Sequence, residues 1–373
     1  MSQTAPERTY SGPTPVAERS LAPDLARGVM LLLIALANTH TFLRGGPVPD
    51  MALLDRAVNW ATTTFVDQRA YPMFALLFGY GVARIVARQS GTRKQTRKLL
   101  RRRSLLLIGI GVLHLVLLFG GDVLSMYGAL LFLGLWAVHW KDRTLLLVAV
   151  LSLAITTAMN AAAAGDLTAN QQSLSPDFTT QIADRLPDAL GAVMVGWVMV
   201  VSPYLVGLWA GRRRVLEFPA EHQRLLTVTA VVGIAAAVLG AQPKALHLVL
   251  ESTPTSAFAE GMHHVTGVIG GYGYAALIAL VALRLSAQQP GRITQALAAT
   301  GQRSMTCYLA QSPVWFIVFT PYLLDLSGEL SLTATAALAI ATWLATVLMA
   351  DRMRAAGYRG PFEALTRRLT YRR

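Results

Sequence analysis

Residues 111–128 read "GVLHLVLLFGGDVLSMYG". Two apolar runs meet at Gly120 and Gly121, which mark a tight turn. Extended outward, the runs become two candidate membrane spans, about 104–121 and 123–140. Each approaches the roughly 20 residues that a helix needs to cross the hydrocarbon core. The same pattern recurs along the chain, at about 25–43, 68–88, 144–164, 189–210, 225–243, 262–284, 304–324 and 331–350. With a bilayer as solvent, open sheet edges are excluded. The sequence therefore predicts an all-α, polytopic transmembrane bundle of about ten helices. Residues 21–373 form that single domain, behind a flexible, polar tail at 1–20.

Composition agrees. The 373 residues are 54% hydrophobic and only 14% charged, against about a quarter charged in soluble domains. The mean hydropathy is +0.45. Cys307 is the single cysteine, which excludes an internal disulfide. A net charge of +13 would suggest nucleic acid as a partner of a soluble protein. Here the arginines follow topology instead, because basic residues collect in cytoplasmic loops. With both termini inside, only Arg44, Arg56, Arg69, Arg185 and Lys244 of the 33 basic residues fall in outer segments. The expected partner is the lipid bilayer, and the expected location is a cell membrane, the inner membrane of a bacterium. No soluble enzyme module is visible, so any chemistry belongs to the membrane core.

Ionisable residues at membrane depth are costly and usually face the bundle interior or a wet cavity. His114 and Asp122 in the opening stretch are the leading candidates, read as two cavity-facing groups, with His114 carrying the chemistry and Asp122 its cap. A carboxylate near an imidazole fixes its tautomer, as a general base requires. Asp122 also suits the N-terminus of the following helix, where a carboxylate accepts backbone N–H bonds. Along the helix the two residues are about 12 Å apart, so direct contact needs the chain to fold back after Gly120. Tyr127 follows one turn later. In the first span Asp24 and Arg27 share a face, and Asn38 and His40 lie near its other end. Asn38 suits either a bridge between helices or the stabilisation of an oxyanion.

Asp67 and Arg69 are expected at the outer mouth of the second span. In the ninth span Ser304, Tyr308, Gln311 and Ser312 fall on one stripe, preceded by Arg303. Glu363 and Arg367 sit at i, i+4 near the C-terminus. The basic loop "RQSGTRKQTRKLLRRRS" (88–104) suits anionic headgroups or the phosphates of a donor, through Arg101, Arg102 and Arg103. His263 and His264 are adjacent, so they face apart and do not form a metal-chelating pair. No metal signature is present.

"DLARGVMLLLIALAN", "FALLFGYG", "RRRSLLLIGIGVLHLVLLFGGDVLSMYG", "GQRSMTCYLAQS" and "GPFEALTRRLTY" occur in this order. Together they resemble the YeiB-like membrane proteins, a domain of unknown function. That family looks related to the transmembrane acyltransferases that include heparan-alpha-glucosaminide N-acetyltransferase. The shared mark is an Asp-x-x-Arg-Gly start to the first span with an Asn near its opposite end; Asp24, Arg27, Gly28 and Asn38 occupy those positions. The resemblance implies an acyl group taken from cytoplasmic acyl-CoA, acetyl-CoA first, and passed to an acceptor reached from outside, a saccharide or a lipid-linked molecule. The acetyltransferases carry a catalytic His about eleven residues after that Asn, where this chain has Pro49. His114 then becomes the candidate base, with His40 second. Arg27, Arg101, Arg102, Arg103 and Arg303 become candidate donor-phosphate ligands. The competing readings are a transporter or flippase of a small solute or lipid, and a non-catalytic membrane protein whose polar residues clasp helices.

Overall fold

The computed structural model describes residues 20–43, 52–89, 92–164, 175–250, 255–287 and 289–371. Arg44, Pro49 and all of the expected tail except Ser20 lie outside them. The described residues form the helices α1 (Leu21–Ala37), α2 (Leu53–Phe65), α3 (Ala70–Ala87), α4 (Arg93–Leu117), α5 (Leu124–Leu133), α6 (Asp142–Ala162), α7 (Phe178–Met194), α8 (Val201–Arg212), α9 (Gln223–Leu250), α10 (Ala257–Ser286), α11 (Arg292–Gln302), α12 (Ser304–Phe319), α13 (Leu332–Ala355) and α14 (Pro361–Thr370).

This is the all-helical architecture of a multi-pass membrane protein, with a different span count. Among the described residues, six helical stretches are long and apolar enough to cross a membrane. There are seven if α7 and α8, bent by 51°, count as one broken span. Length and charge account for the difference from ten. The first turns of α4 are strongly basic, and its apolar part, from Ser104 to Leu117, is only about 21 Å long. α5 has 10 residues and α12 has 16. The expected span at 68–88 begins earlier: α2 and α3 make one interrupted stretch, Leu53–Ala87.

That interruption moves Arg69. Arg56 reaches Val249 O at one end of α9, Trp60 reaches Gln242, and Arg69 reaches Ala237 O, halfway along α9. Arg69 is therefore fully buried against the middle of α9. Gln68 makes the break by adopting a φ of 62°. The Arg69 guanidinium is held by the carbonyls of Thr63, Asp67 and Ala237 and by His263 Nδ1, as a buried cation requires.

Close packing depends on glycine where backbones touch. A Cβ on Gly28 would lie 2.3 Å from Leu297 O, and one on Gly301 would lie 1.7 Å from Asp24 O. α1 and α11 therefore cross almost backbone to backbone. In the α4–α5 hairpin, a Cβ on Gly111 would meet Ser125 N at 2.2 Å and Asp122 Oδ2 at 2.7 Å. Ser104 also donates to Gly128 O at 2.7 Å. α4 starts with a capping box between Thr92 and Gln95, which satisfies two backbone donors reciprocally. The far end of α5 returns to the basic end of the bundle. There Arg93, Arg97 and Arg212 join burial, the larger cause, in lowering the His139 pKa.

Candidate functional site

The opening stretch folds back as direct contact requires. α4 ends with Leu118 and Phe119 N–H both bonded to His114 O, and the chain turns into α5. Asp122 is thereby brought back to His114, eight residues earlier. His114 Nδ1 lies 2.8 Å from Asp122 Oδ1, with side-chain exposures of 2% and 0%. The other carboxylate oxygen accepts Ser125 N–H at 2.9 Å. Asp122 therefore orients the imidazole and caps the first turn of α5 at once. A buried carboxylate is tolerable only with such partners.

The third member comes from a distant segment. His114 Nε2 lies 2.7 Å from Ser312 Oγ on α12, and Ser312 is buried. With Asp122 ionised, Nδ1–H donates to the carboxylate and the Ser312 hydroxyl donates to Nε2. Aromatic rings close both sides of this relay. Tyr308 packs on His114 with centroids 5.4 Å apart, and its hydroxyl accepts Val123 N–H at 3.3 Å. On the other side Phe119 approaches His114 at 6.2 Å. Phe119 belongs to a stack with Phe42, Trp315 and Phe319.

A cavity of about 400 Å³ opens at the basic end and runs inward to Phe74, Leu124, Tyr127 and Tyr308. Tyr308 thus belongs both to the cavity wall and to the shell around His114. Tyr127, fully buried, donates to Tyr71 O at 3.0 Å. The mouth is rich in cations. Arg27, Arg103 and Arg303 line it as the sequence suggests, with Arg88 from the start of the basic loop; Arg84, Arg359 and Arg367 were not expected there. Arg101 and Arg102 are absent from the wall; Arg101 is exposed on another face of α4.

The acids near the mouth are engaged. Asp24 lies 3.7 Å from Arg27, and Glu217 bridges Arg84 and Arg214 at 2.7 and 2.9 Å. Glu363, expected to pair with Arg367, turns instead to α12. It accepts Met305 N–H at 2.8 Å and Thr306 N–H at 3.1 Å, neutralising the positive end of that helix. Arg303 is anchored on the carbonyls of Ala299 and Tyr358. Burial is the main cause lowering the Arg103 pKa; Tyr371 opposes it and Arg27 adds to it. Its Nε has no hydrogen-bond partner among the described residues.

The remaining site candidates lie elsewhere. Asn38 closes the C-terminal end of α1, about 16 Å along the helix from Arg27, and is absent from the cavity wall. His40 Nε2 lies 3.0 Å from Thr62 Oγ1 and 3.9 Å from Asp67, in a cluster separate from His114. Gln311, beside Ser312, reaches Leu31 O at 3.5 Å. His263 and His264 diverge as adjacency requires: His263 faces Arg69, and His264 faces Gln68, Tyr71 and Thr156.

Residues 210–373 match the family described as "Protein of unknown function (DUF418)". The chain is 25% identical over 406 aligned residues to "Uncharacterized protein YxaH" of Bacillus subtilis (strain 168), covering 96% of each chain. It is 31% identical over 122 residues to "Uncharacterized protein YeiB" of Escherichia coli (strain K12), covering 30% of this chain and 29% of that protein. The similarity to YeiB-like proteins holds. It supports a membrane protein of that kind; the relatives' names carry no activity.

Proposed function

We propose that this protein is a transmembrane acyltransferase that takes its acyl group from acyl-CoA at the basic end. One observation carries the reading: a cavity with an arginine-lined mouth and an apolar, aromatic interior ends at the residue that packs on a buried Asp–His pair. A coenzyme A thioester has matching chemistry. Its phosphates suit Arg27, Arg103 and Arg303, since guanidinium pairs bidentately with phosphate. Its pantetheine arm suits the aromatic interior. A cavity of this size is typical for part of a small-molecule ligand, which leaves the nucleotide at the mouth.

In this reading the basic end faces the cytoplasm of a bacterial inner membrane, as the distribution of arginines predicts. The acceptor, a saccharide or lipid-linked hydroxyl or amine, comes from the opposite side. Asn38 and His40 then fall on the acceptor side. His114 acts as the base, Asp122 holds its tautomer, and the aromatic stack keeps water out.

The test is acetyl-CoA binding to the purified protein in detergent, followed by slow hydrolysis with water as the stand-in acceptor. Wild type should bind and hydrolyse acetyl-CoA. Arg303→Gln should bind about tenfold more weakly, the equivalent of about 1.4 kcal/mol for one charge-assisted contact. His114→Ala should bind normally and lose turnover. Absence of acetyl-CoA binding in a folded wild-type sample would sink the proposal. Solute uptake by proteoliposomes without any acyl donor would then favour transport.

A further inference from the structure

We propose that Ser312 carries the acyl group covalently, so that transfer occurs in two steps through an acyl-serine. The inference rests on the acyl-CoA reading above and deepens it. Its basis is one constellation of side chains. Ser312 Oγ, His114 and Asp122 form an unbroken line of short hydrogen bonds, 2.7 and 2.8 Å, and Asp122 is fixed in turn by Ser125 N–H. A nucleophile, a base within hydrogen-bond reach and a third group orienting the base define an activated serine by geometry, whatever the fold or sequence order. His114 as a base acting directly on an acceptor does not require Nε2 to be occupied by a serine hydroxyl.

Location adds a second argument. Ser312 is one turn beyond Tyr308 on the same face of α12, and Tyr308 is the inner wall of the donor cavity. Across from it stands the Phe42–Phe119–Trp315–Phe319 stack. Trp315 Nε1 is buried without a hydrogen-bond partner among the described residues. A donor arriving from one side and an acceptor from the other need a point reachable in turn from each. A serine between two aromatic closures meets that need, because the acyl group waits on the protein while coenzyme A leaves. Ser312, His114 and Asp122 do not line the cavity themselves, so the thioester reaches Ser312 only if the Tyr308 side chain swings aside.

The steps balance. Ser312 Oγ attacks the thioester carbonyl carbon and passes its proton to His114 Nε2. The tetrahedral adduct collapses, the C–S bond breaks, and His114 returns the proton to the departing thiolate as coenzyme A. In the second half an acceptor hydroxyl or amine gives its proton to His114 and attacks the ester carbon. The bond to Ser312 Oγ breaks, and His114 reprotonates that oxygen. No oxidant, reductant or metal is needed.

The experiment uses the full-length protein in detergent, acetyl-CoA with a radiolabelled acetyl group, and labelled free coenzyme A without any acceptor. Wild type is expected to gain one acetyl group on the peptide holding Ser312, removable by alkaline hydroxylamine. It should also exchange label between free coenzyme A and acetyl-CoA. Ser312→Ala should lose both, by at least 100-fold in exchange, while still binding acetyl-CoA. Ser312→Cys should recover labelling as a thioester, which a purely structural hydroxyl would not do. Binding and acyl transfer or hydrolysis by wild type without acetyl-protein or exchange would overturn the acyl-serine and leave the acyltransferase reading standing. Label on His114, or exchange undiminished in folded Ser312→Ala, would also overturn it. Failure of wild type to bind acetyl-CoA would remove both.

Discussion

Asp122 has two jobs that one carboxylate rarely combines: its oxygens hold His114 Nδ1 and Ser125 N–H separately. Substitution by Asn keeps the size but gives the imidazole an ambiguous partner, so the tautomer with Nε2 free to accept is no longer enforced. Asp122→Asn is expected to lower acetyl-CoA turnover by on the order of 10³, within the range typical of losing acid–base catalysis. The value of kcat should fall while KM stays within about threefold; steady-state kinetics would check this, and a loss confined to KM would contradict the role. The pairing of His114 with Asp122 was half legible in the sequence, because eight residues and a Gly–Gly turn left both contact and separation open. Ser312 was legible only as part of a polar stripe. It lies 198 residues from His114, and no local spacing rule reaches that far.

At the scale of elements, the α4–α5 hairpin positions the relay through backbone contact. Gly111 has no room for a methyl group, whereas Gly109 on the same helix has nothing within 4 Å. Gly111→Ala should destabilise the protein by about 1–3 kcal/mol through overpacking and reduce turnover, because the displaced atoms belong to Asp122 and Ser125. Gly109→Ala should be neutral or slightly stabilising, since alanine is the better helix former. Paired thermal unfolding curves in one detergent would test the contrast. α14 acts through one side chain: Glu363 receives the first N–H groups of α12. Glu363→Ala should cost about 1 kcal/mol, as for other lost caps, and should weaken acetyl-CoA binding because α14 forms one wall of the mouth. Unchanged binding would limit Glu363 to stability. The capping role was hidden in the sequence, where the nearby Arg367 offered an obvious but different partner.

At the scale of the whole molecule, arginines gather around the cavity mouth, while many large apolar side chains are exposed along the helices. Binding of a polyphosphate donor at that mouth should weaken steeply with salt, since exposed charges are screened within about 10 Å at 0.1 M ionic strength. Dephospho-coenzyme A should bind less tightly than coenzyme A; equal affinities at all salt concentrations would argue against a phosphate-binding mouth. Sidedness is open to direct test because Cys307 is the chain's only cysteine and is buried. In the proposed orientation, a cysteine at Tyr358, 70% exposed at the basic end, should react with an impermeant maleimide only after the membrane is opened. One at Thr179, exposed at the start of α7, should in that orientation react from outside without the membrane being opened. The reverse pattern would invert the donor and acceptor sides.

Composition and periodicity by themselves determined the solvent, the helical class and the charge asymmetry, because these depend on bulk transfer energies that sum along the chain. They also picked out His114 and Asp122, since a lone polar residue in an apolar run is conspicuous wherever it folds. Three things were decided only by tertiary structure. The first is that α2 and α3 make one interrupted stretch, which takes Arg69 from a loop to a place against the middle of α9. The second is which arginines meet at the cavity, where Arg84, Arg359 and Arg367 stand in for Arg101 and Arg102. The third is the arrival of Ser312 at His114. All three depend on helices that are distant in sequence packing at ångström precision, and that information lies in the fit of surfaces, not in the order of residues along one helix.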